Sequence, residues 1–388
     1  MVTPTPSTGP SGTPPEKPRI PSRRSPWRRE WPLLLASATL ALTWLGKPAM
    51  VSLVTHPAGL IGLMAAICAV LLVTSMSIVR HADVVAHRLG EPLGTLLLTL
   101  AVTGLEVAMV GLVMSTGEEK PTLARDTMLA VVMLVINGFM GLALLLGGLR
   151  YREQPFNLQS SHSFLVMIIP LTVLGLILPN FTRATAGPTL STFQMIFVSI
   201  VSVVIYGVFL VVQNRLHREF FMMPDGDAGD AGQHEDPPTT TRFHAWMLAA
   251  YGLPLVMLAK QMSLPLDAMV GRLGAPAALG GFLMALLVLT PESVSAIRAA
   301  LGNRMQRSVN ILLGSVLASI GLTIPLVICI SLVTGRTLVL GIDPVDTVML
   351  VLTLVTSIVT FSQPRTNLLL GCVHLLLFMA YLMLMFER

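Results

Sequence analysis

Residues 93–115 read LGTLLLTLAVTGLEVAMVGLVMS, an unbroken apolar run with a single charge, Glu106, near its middle. A helix needs about 20 such residues to cross the hydrocarbon layer. The run is continuous rather than alternating, so it reads as a helix and not as a barrel strand. A second stretch, residues 276–298, reads PAALGGFLMALLVLTPESVSAIR and carries Glu292 in the same way. Working outward, comparable runs occupy 33–50, 57–79, 127–148, 163–180, 191–213, 245–261, 308–333, 345–362 and 367–386. The pattern predicts an all-α polytopic membrane protein with about 11 spans.

Composition supports that class. The 388 residues are 53% hydrophobic and only 12% charged, about half the charge of a soluble chain. Too few charges exist to cover a water-soluble globule. Cys68, Cys329 and Cys372 stand far apart in apolar runs, giving neither a disulfide framework nor a zinc motif. The net charge of +5 reads as loop charge that sets topology, not as a nucleic-acid surface.

Residues 1–32 are rich in Pro, Ser, Thr and Gly and end in Arg23, Arg24, Arg28 and Arg29. No helix propagates through such prolines and no apolar face exists to bury, so a disordered cytoplasmic tail is expected. The Lys and Arg residues fall mostly in alternate loops, which puts the N-terminus inside, as in a bacterial inner (plasma) membrane protein. Residues 214–244 hold Asp225, Asp227, Asp230, Glu235 and Asp236 among Gly, Pro and Thr. This reads as a solvated cytoplasmic linker.

Of 20 acidic residues, only Glu106 and Glu292 fall deep inside apolar runs. A carboxylate in hydrocarbon is expensive and marks ion or proton pathways. A lone one is also explained as a protonated structural glutamate in a helix interface; two in matching places argue against that. Arg88-Leu89-Gly90-Glu91-Pro92 precedes the first and Arg272-Leu273-Gly274-Ala275-Pro276 precedes the second. Arg125 and Arg307 follow, and equally far beyond them stand Asn137 and Ser319.

With 33–50 set aside as an extra N-terminal span, the rest divides into 51–213 and 245–388. Each part holds five runs, with its glutamate on the second. An odd number of crossings forces the second unit to enter from the opposite face, an inverted repeat with its site near the midplane. Thr103-Gly104 and Thr290-Pro291 weaken the helix beside each glutamate and predict broken helices whose freed carbonyls coordinate a cation. Carboxylates bind dehydrated Na⁺, K⁺ or Ca²⁺, and they also bind protons. Adjacent ones titrate as a pair. Cation and proton competing for one site, with alternating access, make an antiporter.

The stretch His81-Ala-Asp83-Val-Val-Ala-His87-Arg-Leu-Gly90-Glu91-Pro92-Leu-Gly94-Thr95-Leu, running on to Leu105-Glu106-Val107, resembles the ChaA-type calcium/proton, sodium/proton and potassium/proton antiporters of the calcium/cation antiporter superfamily. So do Leu289-Thr290-Pro291-Glu292-Ser293, Gln306-Arg307 through Asn310, and Leu313-Gly314-Ser315-Val-Leu-Ala-Ser319-Ile-Gly-Leu-Thr323. The resemblance covers about 57–386 and leaves out the proline-rich tail. It implies that Glu106 and Glu292 ligate the ion, with Asn137, Ser315 and Ser319 completing the site. Thr103 and Thr290 join them as candidate supporting ligands. The Thr-Gly-Leu-Glu at Glu106 lacks the Gly-Asn or Gly-Ser pairs of plant vacuolar and sodium/calcium exchangers, which leaves monovalent cations open beside Ca²⁺.

His81 and His87 read either as a proton-collecting mouth or, slightly preferred, as solvated loop histidines. A cation channel and a cation exchanger without proton coupling are the competing functions. A channel usually builds its pore from rings of subunits. An intramembrane enzyme is disfavoured: no Asp falls deep inside an apolar run, and no nucleophile or phosphate-loop motif occurs. No resident cofactor is expected, and the expected partners are the lipid bilayer, inorganic cations and protons.

Overall fold

The computed structural model describes residues 29–89, 93–115, 119–221 and 240–387. The proline-rich tail through residue 28, Gly90-Glu91-Pro92 and most of the acidic loop, 222–239, lie outside the described residues. Every apolar run falls on a helix. The order begins α1 (Trp31–Leu45), α2 (Lys47–Leu53), α3 (Pro57–Leu89), α4 (Leu93–Ser115), α5 (Leu123–Val132) and α6 (Met140–Tyr151). A two-residue strand β1 (Gln154–Pro155) precedes α7 (Leu158–Thr172), α8 (Thr192–Val211) and the short α9 (Arg218–Phe221). After the acidic loop come α10 (Thr241–Gln261), α11 (Ser263–Leu273), α12 (Leu279–Leu301), α13 (Met305–Thr334), α14 (Pro344–Thr360), β2 (Arg365–Thr366) and α15 (Leu368–Phe386).

Among the described residues, 8 helices are long and apolar enough to cross a membrane, or 9 if the bent pair α1–α2 is one span. Ala101–Ser115 and Pro344–Thr360 are shorter apolar helices. The expected N-terminal span over 33–50 is thus not one straight rod: it bends by 85° between α1 and α2. Gly46-Lys47-Pro48 sits at the bend, where glycine weakens the helix and proline starts the next one.

Local chemistry starts and stops the helices. The side chains of Asn157, Thr240, Asp343 and Asn367 accept from backbone N–H groups opening α7, α10, α14 and α15. Ser191 and Gln194 form a reciprocal capping box on α8. Gly335, at φ 68°, ends α13 in the left-handed conformation that glycine adopts without strain.

The core is built on α5 and α13. Every residue of α5 except Arg125 is buried. Close approach depends on small residues: a β-carbon on Gly281 of α12 would lie 2.6 Å from the backbone nitrogen of Thr127 on α5. At the periphery, α8 turns Phe193, Ile196, Phe197, Ile200 and Val204 outward, the apolar surface that faces lipid.

Packing is reciprocal between the two parts of the chain. Helix α3 lies against α10; α4 lies against α13 as α12 does against α5; α8 lies against α13 as α15 does against α6. The loops repeat the pattern. At one place β1 pairs antiparallel with β2, Gln154 opposite Thr366. At another, the segment after α13 bonds the segment after α7, with Ile342 N donating to Leu176 O at 2.9 Å and Gly341 N to Pro188 O at 3.1 Å.

Candidate ion-binding site

Glu106 and Glu292 converge on one helix. Residues four apart share a helix face, and α13 presents Ser315, Ser319 and Thr323 at that spacing. Ser315 Oγ donates to Glu292 Oε2 at 2.7 Å, and Ser319 Oγ donates to Glu106 Oε2 at 2.7 Å. Glu106 comes from α4 and is 1% exposed; Glu292 comes from α12 and is half-buried. Their serine partners stand four residues apart on one face of α13, so that helix holds both carboxylates.

Two oxygens at this centre have no hydrogen-bond partner. Glu106 Oε1 is buried and unbonded, and so is the fully buried Thr323 hydroxyl, which lies beside the same carboxylate. Buried polar atoms are nearly always satisfied, and the exceptions call for an explanation. A proton on Glu106 or a cation beside it supplies one. The donor set is entirely oxygen, the chemistry of a hard cation. No cluster of three or more His, Cys, Asp or Glu residues suited to a metal occurs among the described residues. Hydroxyls and backbone carbonyls would therefore have to complete a shell that begins with two carboxylates.

Sequence comparison with known proteins matches the sodium/calcium exchanger protein family over residues 59–214 and 243–387, covering both glutamate helices and most of the chain. The chain belongs to that family. It is 43% identical to a putative ionic transporter of Sinorhizobium fredii over 79% of its own length and 83% of the relative's. It is 39% identical to the sodium-potassium/proton antiporter of Escherichia coli, over 81% of this chain and 86% of that one. The fold resembles native YfkE with a TM-score of 0.70 at 18% identity, covering 92% of this chain and 100% of that chain. It also resembles the H⁺/Ca²⁺ exchanger CAX with a TM-score of 0.65 at 17% identity, covering 92% and 88%.

In this exchanger the other candidate ligands lie as follows. Thr103 is buried one turn before Glu106 on α4. Thr290 is half-buried and its hydroxyl bonds back to Leu286 O of its own helix at 2.5 Å. Asn137 bonds neither glutamate. It sits in a π-helical stretch, Met133–Phe139, and donates to Thr353 Oγ1 at 2.7 Å while its Oδ1 faces His374 Nδ1 at 2.9 Å. Thus Ser315 and Ser319 meet the glutamates, whereas Asn137 is held by α14 and α15.

The expected breaks at Thr103-Gly104 and Thr290-Pro291 do not occur: α4 and α12 run through both as continuous helix. Proline inside a span is tolerated where neighbouring groups re-satisfy the freed carbonyl, and Pro170, Pro254 and Pro325 also lie within helices. Reading His81 as a solvated loop residue is also overturned: it is 1% exposed. His87 is on α3, and its side chain lies outside the described residues.

Sequence reasoning missed Thr323, although its spacing from Ser315 and Ser319 carried the signal. It also missed the buried Glu30, Asp126 and Asp346, each 6–7% exposed. These last two sit in the first turns of α5 and α14, where a helix favours negative charge.

Proposed function

We propose that this family member is a secondary active antiporter that exchanges Ca²⁺, Na⁺ or K⁺ for protons by alternating access, with Glu106 and Glu292 as the shared cation and proton site. The observation that carries the reading is the pair of carboxylates gathered on the Ser315–Ser319 face of α13, one of them with an unbonded buried oxygen. When a cation leaves, the uncompensated carboxylates are neutralised by protons; when a cation enters, the protons are displaced. Ser315 and Ser319 orient the carboxylate oxygens, and Thr103, Thr290, Thr323 and Asn137 are secondary ligand candidates.

The reciprocal packing of α4 with α13 and of α12 with α5 supports two inverted five-helix repeats, 51–213 and 245–388, behind an extra N-terminal helix. In this reading the N-terminus and the 214–244 loop lie in the cytoplasm and the protein resides in the bacterial inner membrane. It carries no resident cofactor and no enzymatic activity. The proteins it resembles by sequence include the sodium-potassium/proton antiporter of Escherichia coli, which supports proton coupling over a channel.

The test is proton flux in inverted vesicles with Ca²⁺, Na⁺ and K⁺ added in turn. Antiport predicts that at least one cation dissipates an imposed proton gradient. Cation flux with no proton movement would instead make the protein a channel or an uncoupled exchanger.

A further inference from the structure

A row of buried polar contacts lies apart from the glutamates and joins three parts of the chain. On α14, Thr353 Oγ1 lies 2.8 Å from Met349 O and 2.7 Å from the Asn137 amide nitrogen. The other end of that amide faces His374 Nδ1 on α15 at 2.9 Å. His374 Nε2 in turn faces Thr360 Oγ1, the last residue of α14, at 2.9 Å. Asn137, Thr353 and His374 are each 0% exposed. The seam around them is tight: a β-carbon on Gly141 would lie 3.0 Å from Leu375 N and 3.1 Å from His374 Cβ. Hydrogens can run in either direction along the row, and the Asn137 amide is satisfied both ways. The hold on Asn137 is therefore the same for either His374 tautomer.

The row breaks a symmetry. Asn137 stands as far beyond Arg125 as Ser319 does beyond Arg307, so in the two-repeat reading the two residues are counterparts. Ser319 reaches across to Glu106, the glutamate of the other repeat. The counterpart contact, Asn137 to Glu292, is not made. Glu292 accepts from Ser315 instead, and the Asn137 amide is held at both ends by α14 and α15.

The backbone differs in the same place. Helix α13 is α-helical from Met305 to Thr334, whereas Asn137 lies in the π-helical stretch Met133–Phe139, where Met140 N bonds Val135 O. A π turn holds one extra residue, which re-aims the side chains on it, and such turns gather at functional sites. This stretch also touches α12 and α13, the helices that carry Glu292, Ser315 and Ser319.

We propose that Thr353 and His374 are positioning residues of the ion site: they hold the Asn137 amide away from Glu292 in the described state, and its release adds the first repeat's ligand to the bound cation. An amide oxygen suits a hard cation. The proposal rests on the reading of Glu106 and Glu292 as the cation site. Apparent affinity is lowered in proportion to the fraction of molecules in which Asn137 is free. Weakening the hold raises that fraction and tightens cation binding.

The test measures half-saturating concentrations of Ca²⁺, Na⁺ and K⁺ in two ways: by proton flux in everted vesicles, and by the cation-dependent rise of the unfolding midpoint of purified full-length protein. Thr353→Val, close to threonine in shape but without the hydroxyl, should lower the half-saturating concentration several-fold. His374→Leu should do the same from the other helix, and the two are made in parallel because either alone can fail to fold. His374→Gln, whose amide still bonds Asn137, should stay near wild type. In an Asn137→Leu background neither Thr353→Val nor His374→Leu should move the value. A purely structural row predicts a lower unfolding midpoint with cation affinity unchanged, and that result would overturn the proposal. So would a weakened affinity in both variants, or a shift that persists without Asn137. If wild type responds to none of the three cations by either measurement, the antiport reading fails and the positioning role falls with it.

Discussion

Glu106 has one oxygen on Ser319 and the other on nothing, so its environment is incomplete by one proton or one cation. Glutamine at this position keeps the size and the Ser319 contact but neither exchanges protons nor neutralises a cation. Glu106→Gln and Glu292→Gln should each lower exchange by about a hundredfold or more, because a carboxylate inside the membrane is retained for such chemistry. Cation-driven release of a proton gradient in vesicles is the measurement, and wild-type exchange in either variant would remove that residue from the site. Ser319→Ala leaves the carboxylate in place but strips its remaining donor. A hydrogen bond to a charged group is worth about 1.5–3 kcal/mol, so the half-saturating cation concentration should move by about tenfold, with the maximal rate less affected. These residues were legible in the sequence because they are the only carboxylates deep inside apolar runs. Glu30 was not, because it stands where a charged tail meets the first apolar run and reads as a solvated end. Its contacts with Arg80, His81 and Tyr251, distant along the chain, are what the local sequence does not encode.

At the level of the helix, hydropathy located every apolar element, since the length and continuity of each run are written in composition. The irregularities were less accessible. Proline and glycine pointed to breaks in α4 and α12, yet both helices continue, and the departure from α geometry falls instead at Met133–Phe139. Within that stretch Asn137 reaches Thr353 and His374, partners that no local sequence signal encodes. Pro291 still matters. It cannot donate to the carbonyl of Leu287, one turn back and one turn from Glu292. Pro291→Ala restores that donor. The unfolding midpoint should rise by about 2–4 °C. If the Leu287 carbonyl serves the cation, the half-saturating concentration should also rise several-fold. A midpoint gain with unchanged cation affinity would exclude this carbonyl from the coordination shell.

Across the whole molecule, the reciprocal contacts of the two parts of the chain place one glutamate from each against the same helix. If Glu106 and Glu292 hold the cation, as proposed, protons and cations share one pair of carboxylates and occupancy by one opposes the other. Each proton taken up removes a unit of ligand charge from Glu106 or Glu292 and weakens cation binding. The sign follows directly: the half-saturating cation concentration must rise as pH falls and level off at alkaline pH, where the carboxylates are free. By mass action the rise approaches about tenfold per pH unit for each competing proton. A slope near two decades would therefore report both glutamates and a slope near one decade a single one. A channel with a fixed filter of carbonyls has no such requirement. The measurement is the half-saturating concentration of each transported cation over a pH series in everted vesicles. A constant value from mildly acidic to alkaline pH would refute shared-site competition even if both glutamates proved essential. Coupling would then have to arise from protons bound elsewhere in the protein.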